Sequence, residues 1–288
     1  MRFSMLCAAV LACVGCKKQA APDKADIAGP SEPNVEMINR GAEPRVPLRY
    51  QLAKGTTTSV EMTLDAEMWG RQSPTVAMTM EIVGEDVLPD GTMKVRSTIK
   101  SAEVRDRVGA PAMPGMKGQA EMMVGVAVTG TLSPEGKVID AQVDLGDKPF
   151  PPEAKAQMGS LTQSFTKLAM IVPNEAVGVG ATWRTRDTIK ESGITQLSTT
   201  TVQIEKIEGT KVTFTRTSVI SGADQTITQG SDSVTIKNIS GQGSAHGTIE
   251  LDHLVMTAEI SDQYHSDVAT NGQSDKMSAS MNLKLTPK

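Results

Sequence analysis

The chain has 288 residues, with 29 Lys+Arg against 33 Asp+Glu and a formal net charge of −4. It is 39% hydrophobic, 22% charged and only 3% aromatic. That is ordinary globular chemistry, without the charge excess of a disordered chain or the basic surplus of a nucleic-acid binder. Three cysteines and three histidines leave no room for a disulfide framework and little for a histidine-based metal site.

Residues 1–16 read MRFSMLCAAVLACVGC. Arg2 supplies a short positive region, and the apolar run from Phe3 to Val14 falls short of the about 20 residues a spanning helix needs. Lys17 and Lys18 follow at once. This pattern predicts a secretory signal peptide over residues 1–15. Its ending, Val14-Gly15-Cys16, resembles the lipobox of bacterial lipoproteins, in which the cysteine becomes the acylated first residue of the mature chain. The resemblance implies a palmitate-type anchor on Cys16 and a place in the cell envelope, with the body in the periplasm or at the cell surface. Val10-Leu11-Ala12-Cys13 is a rival lipobox, but cleavage there would leave a very short apolar run. Lys17 stands where Asp marks inner-membrane retention in enteric bacteria, which favours the outer membrane. Cys7, Cys13 and Cys16 all lie in the first 16 residues. The exported body therefore has no thiol pair, and its core must hold it together.

Residues 16–47 carry Pro22, Pro30, Pro33 and Pro44 among Ala, Asp, Glu and Lys, which predicts a flexible tether. From residue 48 the apolar period is two. Val60, Met62, Leu64, Ala66 and Met68 alternate with polar residues, as do Val76, Met78, Met80 and Ile82, and near the end Met277, Ala279, Met281, Leu283 and Leu285. Such alternation marks strands with one buried and one wet face, the habit of antiparallel sheet. Pro89-Asp90-Gly91, Pro134-Glu135-Gly136 and Glu208-Gly209 read as turns between them. Between Pro151-Pro152 and Pro173, the spacing of Ala154, Met158, Leu161, Phe165 and Leu168 predicts an amphipathic helix over 151–171.

The body also carries a repeated pattern. Gly130-Thr131-Leu132, Val138, Ala141 and Val143 match Gly247-Thr248-Ile249, Val255, Ala258 and Ile260 without a gap. Gly91-Thr92 into Val95 corresponds loosely to Gly209-Thr210 into Val212. The expected fold is a mainly β domain over 48–288. Two antiparallel β-meander halves, 48–149 and 173–288, form a curved sheet or open half-barrel bridged by the central helix.

Motifs for chemistry are scarce. There is no Gly-x-Ser-x-Gly elbow and no Walker loop, and Gly178-Val179-Gly180 leads into a strand rather than a helix. His246, His253 and His265 fall on a strand face, a turn and a strand end, with His246 opposite Glu259 rather than near His265. No catalytic residue, cofactor or metal is expected, and the chain does not read as an enzyme.

Methionine is the unusual feature, at 17 residues of which only Met1 and Met5 lie in the leader. Flexible thioether side chains suit plastic apolar surfaces. Met62, Met78, Met80, Met158, Phe165, Met277 and Met281 are therefore candidate walls of a hydrophobic pocket. Two other readings stand beside this one: a plain core filler, and soft-metal binding by Met113, Met116, Met122 and Met123. The Gly-, Pro- and Met-rich segment Val108–Gln119 reads either as a mobile lid or as a loop covering a sheet edge.

The lipobox, the Pro-rich tether and Val177-Gly178-Val179-Gly180-Ala181-Thr182-Trp183 after a central helix resemble a group of β-rich bacterial envelope lipoproteins. The architecture resembles the LolA/LppX-type lipid and lipoprotein carriers, open half-barrels closed by helices over an apolar cavity. That resemblance carries over no site residues. It implies a membrane-anchored lipoprotein that binds a hydrophobic ligand or assists lipid and lipoprotein handling. The alternative is a structural or protein-interaction lipoprotein with a filled core. The partners implied are the membrane, through the acyl chains, and a lipid or other hydrophobe, with no nucleic acid. Cys16→Ala is expected to abolish incorporation of a labelled fatty acid. If Cys13→Ala blocks labelling instead, the lipobox assignment is off by three residues.

Overall fold

A computed structural model describes residues 34–146, 169–191, 193–229, 232–270 and 273–288. Cys16, Met158, Phe165 and most of the expected 151–171 helix lie outside the described residues. The fold is mainly β. The strands are β1 (Asn34–Asn39), β2 (Thr57–Met68), β3 (Arg71–Gln72), β4 (Thr75–Val87) and β5 (Met93–Arg105). After the helix α1 (Pro114–Met123) come β6 (Ala127–Leu132), β7 (Val138–Asp144), β8 (Thr182–Glu191), β9 (Ile194–Glu208) and β10 (Lys211–Gly222). The chain ends with β11 (Gln225–Gln229), β12 (Asp232–Glu250), β13 (Val255–Thr270) and β14 (Gln273–Pro287). All pair in one antiparallel sheet of order β1-β8-β9-β10-β12-β13-β14-β2-β4-β5-β6-β7, with β3 beside β2 and β11 beside β12. The sheet is curved and not closed, with β1 and β7 at its two ends.

β14 joins the two meander halves, pairing with β13 on one side and β2 on the other. The repeated spacing in the sequence is a repeated hairpin register. Val128 stands opposite Val143 as Ala245 stands opposite Ile260, and Thr129–Gln142 answers to His246–Glu259. One strand over, Met93–Leu132 and Val95–Gly130 answer to Val212–Ile249 and Phe214–Gly247. The loose Val95–Val212 match of the sequence is therefore shifted by two residues. Gly130 and Gly247 serve the same purpose. A Cβ on Gly130 would lie 3.4 Å from the Ala141 Cα, and one on Gly247 would lie 3.0 Å from the Ala258 Cα.

The strand ends near the hairpin turns share one core, built from both halves. Leu48, Tyr50, Leu132, Val177, Trp183, Ile204, Val212 and Ile249 are all at most 1% exposed. The segment 48–52 crosses this end like a strap. Tyr50 N–H donates to Pro134 O at 2.9 Å and Gln51 N–H to Leu251 O at 3.0 Å, so the strap reaches the turns of both halves. The Tyr50 phenol donates to Met170 O at 3.0 Å and accepts from Met170 N–H at 2.9 Å. Val172 N–H and Trp183 Nε1–H complete the set, on Glu135 O at 2.9 Å and Ile171 O at 3.0 Å. These bonds pair the polar groups that the strap and its neighbours bury, as burial demands.

One sequence expectation changes here and another holds. Residues 34–39 fall in the expected tether, yet they form β1, paired antiparallel with β8 from Asn34–Arg186 to Asn39–Thr182. Val35 and Met37 pack against the core, a two-residue alternation hidden between prolines. The Val177–Trp183 motif is the lead into β8. Val46 and Val177 exchange backbone hydrogen bonds at 2.9 Å, and a Cβ on Gly178 would stand 1.7 Å from Ala42 O. Only glycine permits that approach.

Tyr50→Phe leaves both buried polar groups of Met170 without a partner. It is expected to cost about 2 kcal/mol, measured as a drop in the thermal unfolding midpoint. Burial pushes the Tyr50 hydroxyl above its ordinary range. Its stabilising contribution is therefore present below the unfolded value, about pH 10, and is lost as pH rises through the folded value. An unchanged midpoint in the variant would show that the strap is not held by this pair.

Candidate functional site

Most of the expected pocket residues share one face of the sheet, as the alternation predicts. Met62 pairs across to Met78, Val60 to Met80, and Met281 to Ala66. Met80 packs with Ile99 and Val126, with Met62, Met78 and Met123 against them. Met281 and Met78 border a second cluster of Leu64, Val76, Val104, Met116 and Ala120. Met277 is buried farther along β14, opposite Ser266. Met158 and Phe165 lie outside the described residues.

The cover over this face comes from an unexpected place. Residues 114–119 of the segment read as a lid or edge loop belong to the helix α1, which buries Met116 and Ala120 against the sheet. Pro114 takes the first helical position, where its missing N–H costs nothing. The spacing of Met116, Ala120 and Met123 was the signal, and Pro114, Gly115 and Gly118 masked it. α1 is weakly specified: Met113 at its N-cap makes no side-chain cap, and its ends carry no acid or base to complement the dipole. Met116 sits in the Leu64–Val104 cluster and Met123 beside Met80. Met113 and Met122 are exposed, so the four do not converge as a soft-metal site.

One continuous row crosses this face. Its backbone partners run Val202–Arg216–Ala245–Ile260–Leu283–Leu64–Val76 across β9, β10, β12, β13, β14, β2 and β4. Val202, Ala245, Leu64 and Val76 are buried, whereas Ile260, Leu283 and the neighbouring Met281, Met62 and Met78 keep partial exposure. Arg216 is the exception in polarity. Its Nε is buried with no hydrogen-bond partner among the described residues. The sequence reading passed over it inside Thr215-Arg216-Thr217-Ser218. The alternation Phe214, Arg216, Ser218, Ile220 would have placed it on the inner face.

A shallow, open depression of about 670 Å³ is lined by Arg216, Ala245, Ile260 and Leu283 of this row together with the rows on either side of it. Two polar rows border it, Thr215–His246–Glu259–Lys284–Thr63 and Thr217–Ser244–Ser261–Asn282–Asp65. His246 meets Glu205 at 3.3 Å and Lys284 meets Glu259 at 3.2 Å. These exposed pairs contribute little energy, but they fix a patterned surface.

At the β12–β13 turn, Glu250, Asp252 and His253 each place a ligating atom within 4.8 Å of the others. Asp252 Oδ1 is 2.9 Å from His253 Nδ1, and the Lys211 ammonium lies 3.9 Å from Glu250. Partial burial pushes the Asp252 carboxyl up, but hydrogen bonds from His253 and Thr210 outweigh it and hold it below its ordinary range. The same hydrogen bond to Asp252 raises His253. Internal partners thus take up much of this group's capacity. The signs differ for the two residues. His253 stabilises fully below about pH 6.5 and loses its contribution as pH rises through the folded value, whereas Asp252 stabilises above about pH 3.9 and loses it on acidification. An NMR titration should find His253 above the usual histidine midpoint, returning toward it in Asp252→Asn. No difference between the two proteins would break the pairing.

Residues 153–254, a little over a third of the chain, match a family of unknown function, DUF6263. The match spans β8 to β12 and reaches the β12–β13 turn. No curated protein and no solved structure matches the chain.

Proposed function

We propose that this chain is a bacterial envelope lipoprotein, anchored through acylated Cys16, whose β body binds a hydrophobic ligand along its inner face. The observation that carries the reading is the partly exposed apolar strip of Ile260, Leu283, Met281, Met62 and Met78, flanked by a weakly capped helix. Exposed apolar surface of this kind on a sheet's inner face is costly unless something occupies it. Methionine lets such a strip reshape around chains of different length. The open sheet supports the likeness to lipid carriers in architecture, and the leader sequence supports the envelope address. In this reading the tether, shortened by β1, holds the body close to the membrane that supplies the ligand, and no step of chemistry is required.

A second reading has its own observation. The depression across β10, β12, β13, β14 and β2, bordered by two polar rows, is a patterned surface on which an interaction lipoprotein would dock a protein partner.

The two readings part on a binding assay. The chain carrying Cys16→Ala is expected to bind a fluorescent long-chain fatty acid with micromolar affinity, about −8 kcal/mol. Met78→Trp should weaken that binding about tenfold with little change in melting, because Met78 is only half-buried. A folded protein that binds no hydrophobe would leave the docking reading in possession.

A further inference from the structure

We infer that the ligand is an anionic amphiphile, with its charged head held by Arg216 and its tail lying across the strands toward Met62 and Met78. This rests on the ligand-binding reading above and narrows it to a chemical class.

A guanidinium on the inner face of a sheet is expensive. Its Nε–H is buried, and no group among the described residues accepts from it. Leaving a buried donor unmet forfeits its hydration without return, and native structures seldom tolerate that without a purpose. Its directly paired neighbours do not balance its charge. Its cross-strand neighbours are Val202 on one side and Ala245 on the other, both buried and apolar. Phe214, two residues back, belongs to the main core.

Arg216 also marks a boundary. On its far side the inward positions turn polar: Thr200 pairs with Ser218, and Thr185 pairs with Thr200. The Asp262 carboxylate folds over Gly243, so that its Oδ1 and the Ser218 Oγ lie 1.9 and 2.6 Å from where a Cβ would be. On its near side the inward positions are apolar. Beyond this row Ile220 is buried and apolar again, so the polar residues form a band beside Arg216 in which a polar head would sit.

The apolar direction has the right length. From Arg216 the row passes Ala245, Ile260 and Leu283 to Leu64, four strand spacings of about 4.8 Å, or roughly 19 Å. That is the reach of a long acyl chain. The side chains that keep partial exposure, Ile260, Leu283, Met281, Met62 and Met78, lie along or beside this path. A guanidinium suits a carboxylate or phosphate head because it offers paired donors in a planar fork.

The test compares head groups at constant tail. The full chain carrying Cys16→Ala, with or without Arg216→Met, is titrated with a fluorescent long-chain fatty acid and with the matching fatty alcohol. Inorganic phosphate alone serves as a third probe. The expected result is that the acid binds at least about tenfold more tightly than the alcohol, and that Arg216→Met removes this preference while sparing alcohol binding. Arg216→Lys should restore part of it. Without ligand, Arg216→Met should melt no lower than the parent, since it removes an unmet buried donor. Phosphate that competes as well as the acid would assign the Arg216 site to a free anion and overturn the amphiphile. Equal affinity for acid and alcohol in both proteins would overturn the Arg216 assignment and leave the hydrophobe reading standing. Binding of neither would overturn both.

Discussion

The Tyr50 strap is the constraint on which the architecture depends. A sheet this wide, left open, has no reason to bring its two halves onto one core. The strap supplies it: its backbone bonds the Pro134 turn of one half and the Leu251 turn of the other, while the phenol takes both polar groups of Met170. With that end closed, Trp183, Ile204 and Phe214 of the second half pack with Met93, Val95 and Leu132 of the first. The rest of the inner face can then remain open without loss of the fold.

The division of labour follows from burial. At the strapped end the inward residues are almost fully excluded from water, and the Tyr50, Met170 and Trp183 groups are paired. Along the row from Arg216 to Val76 burial is uneven, and one donor is unmet. Stability is concentrated in the first region, so imperfection is tolerated in the second. Places where polar satisfaction fails in an otherwise consistent fold are where binding is to be sought.

The strands were legible in the sequence because alternation is a strong signal wherever one face is buried. Val60–Met68, Val76–Ile82 and Met277–Leu285 each fall in the strand and face that their pattern indicates, and the Gly130/Gly247 repeat reports a shared register. α1 was illegible because Pro114, Gly115 and Gly118 read as breakers, although proline at the first helical position is favourable. β1 was hidden by flanking prolines and a run of only two inward residues. Of the candidate site, the methionine face could be read from period two. Arg216 could not be singled out, since an arginine in a Thr- and Ser-rich strand resembles a solvated position until pairing shows that its neighbours are Val202 and Ala245.

The central claim is that the inner face is a binding surface for an anionic amphiphile rather than an incompletely packed core. Its most direct test is mass spectrometry of the organic extract from the full chain purified from its source cells without added lipid; an acyl group on the proposed anchor Cys16 would stay with the protein. The account predicts one anionic lipid or fatty acid recovered in near-equal molar amount with the protein. An extract holding no lipid, or only neutral lipid in trace amount, would contradict it.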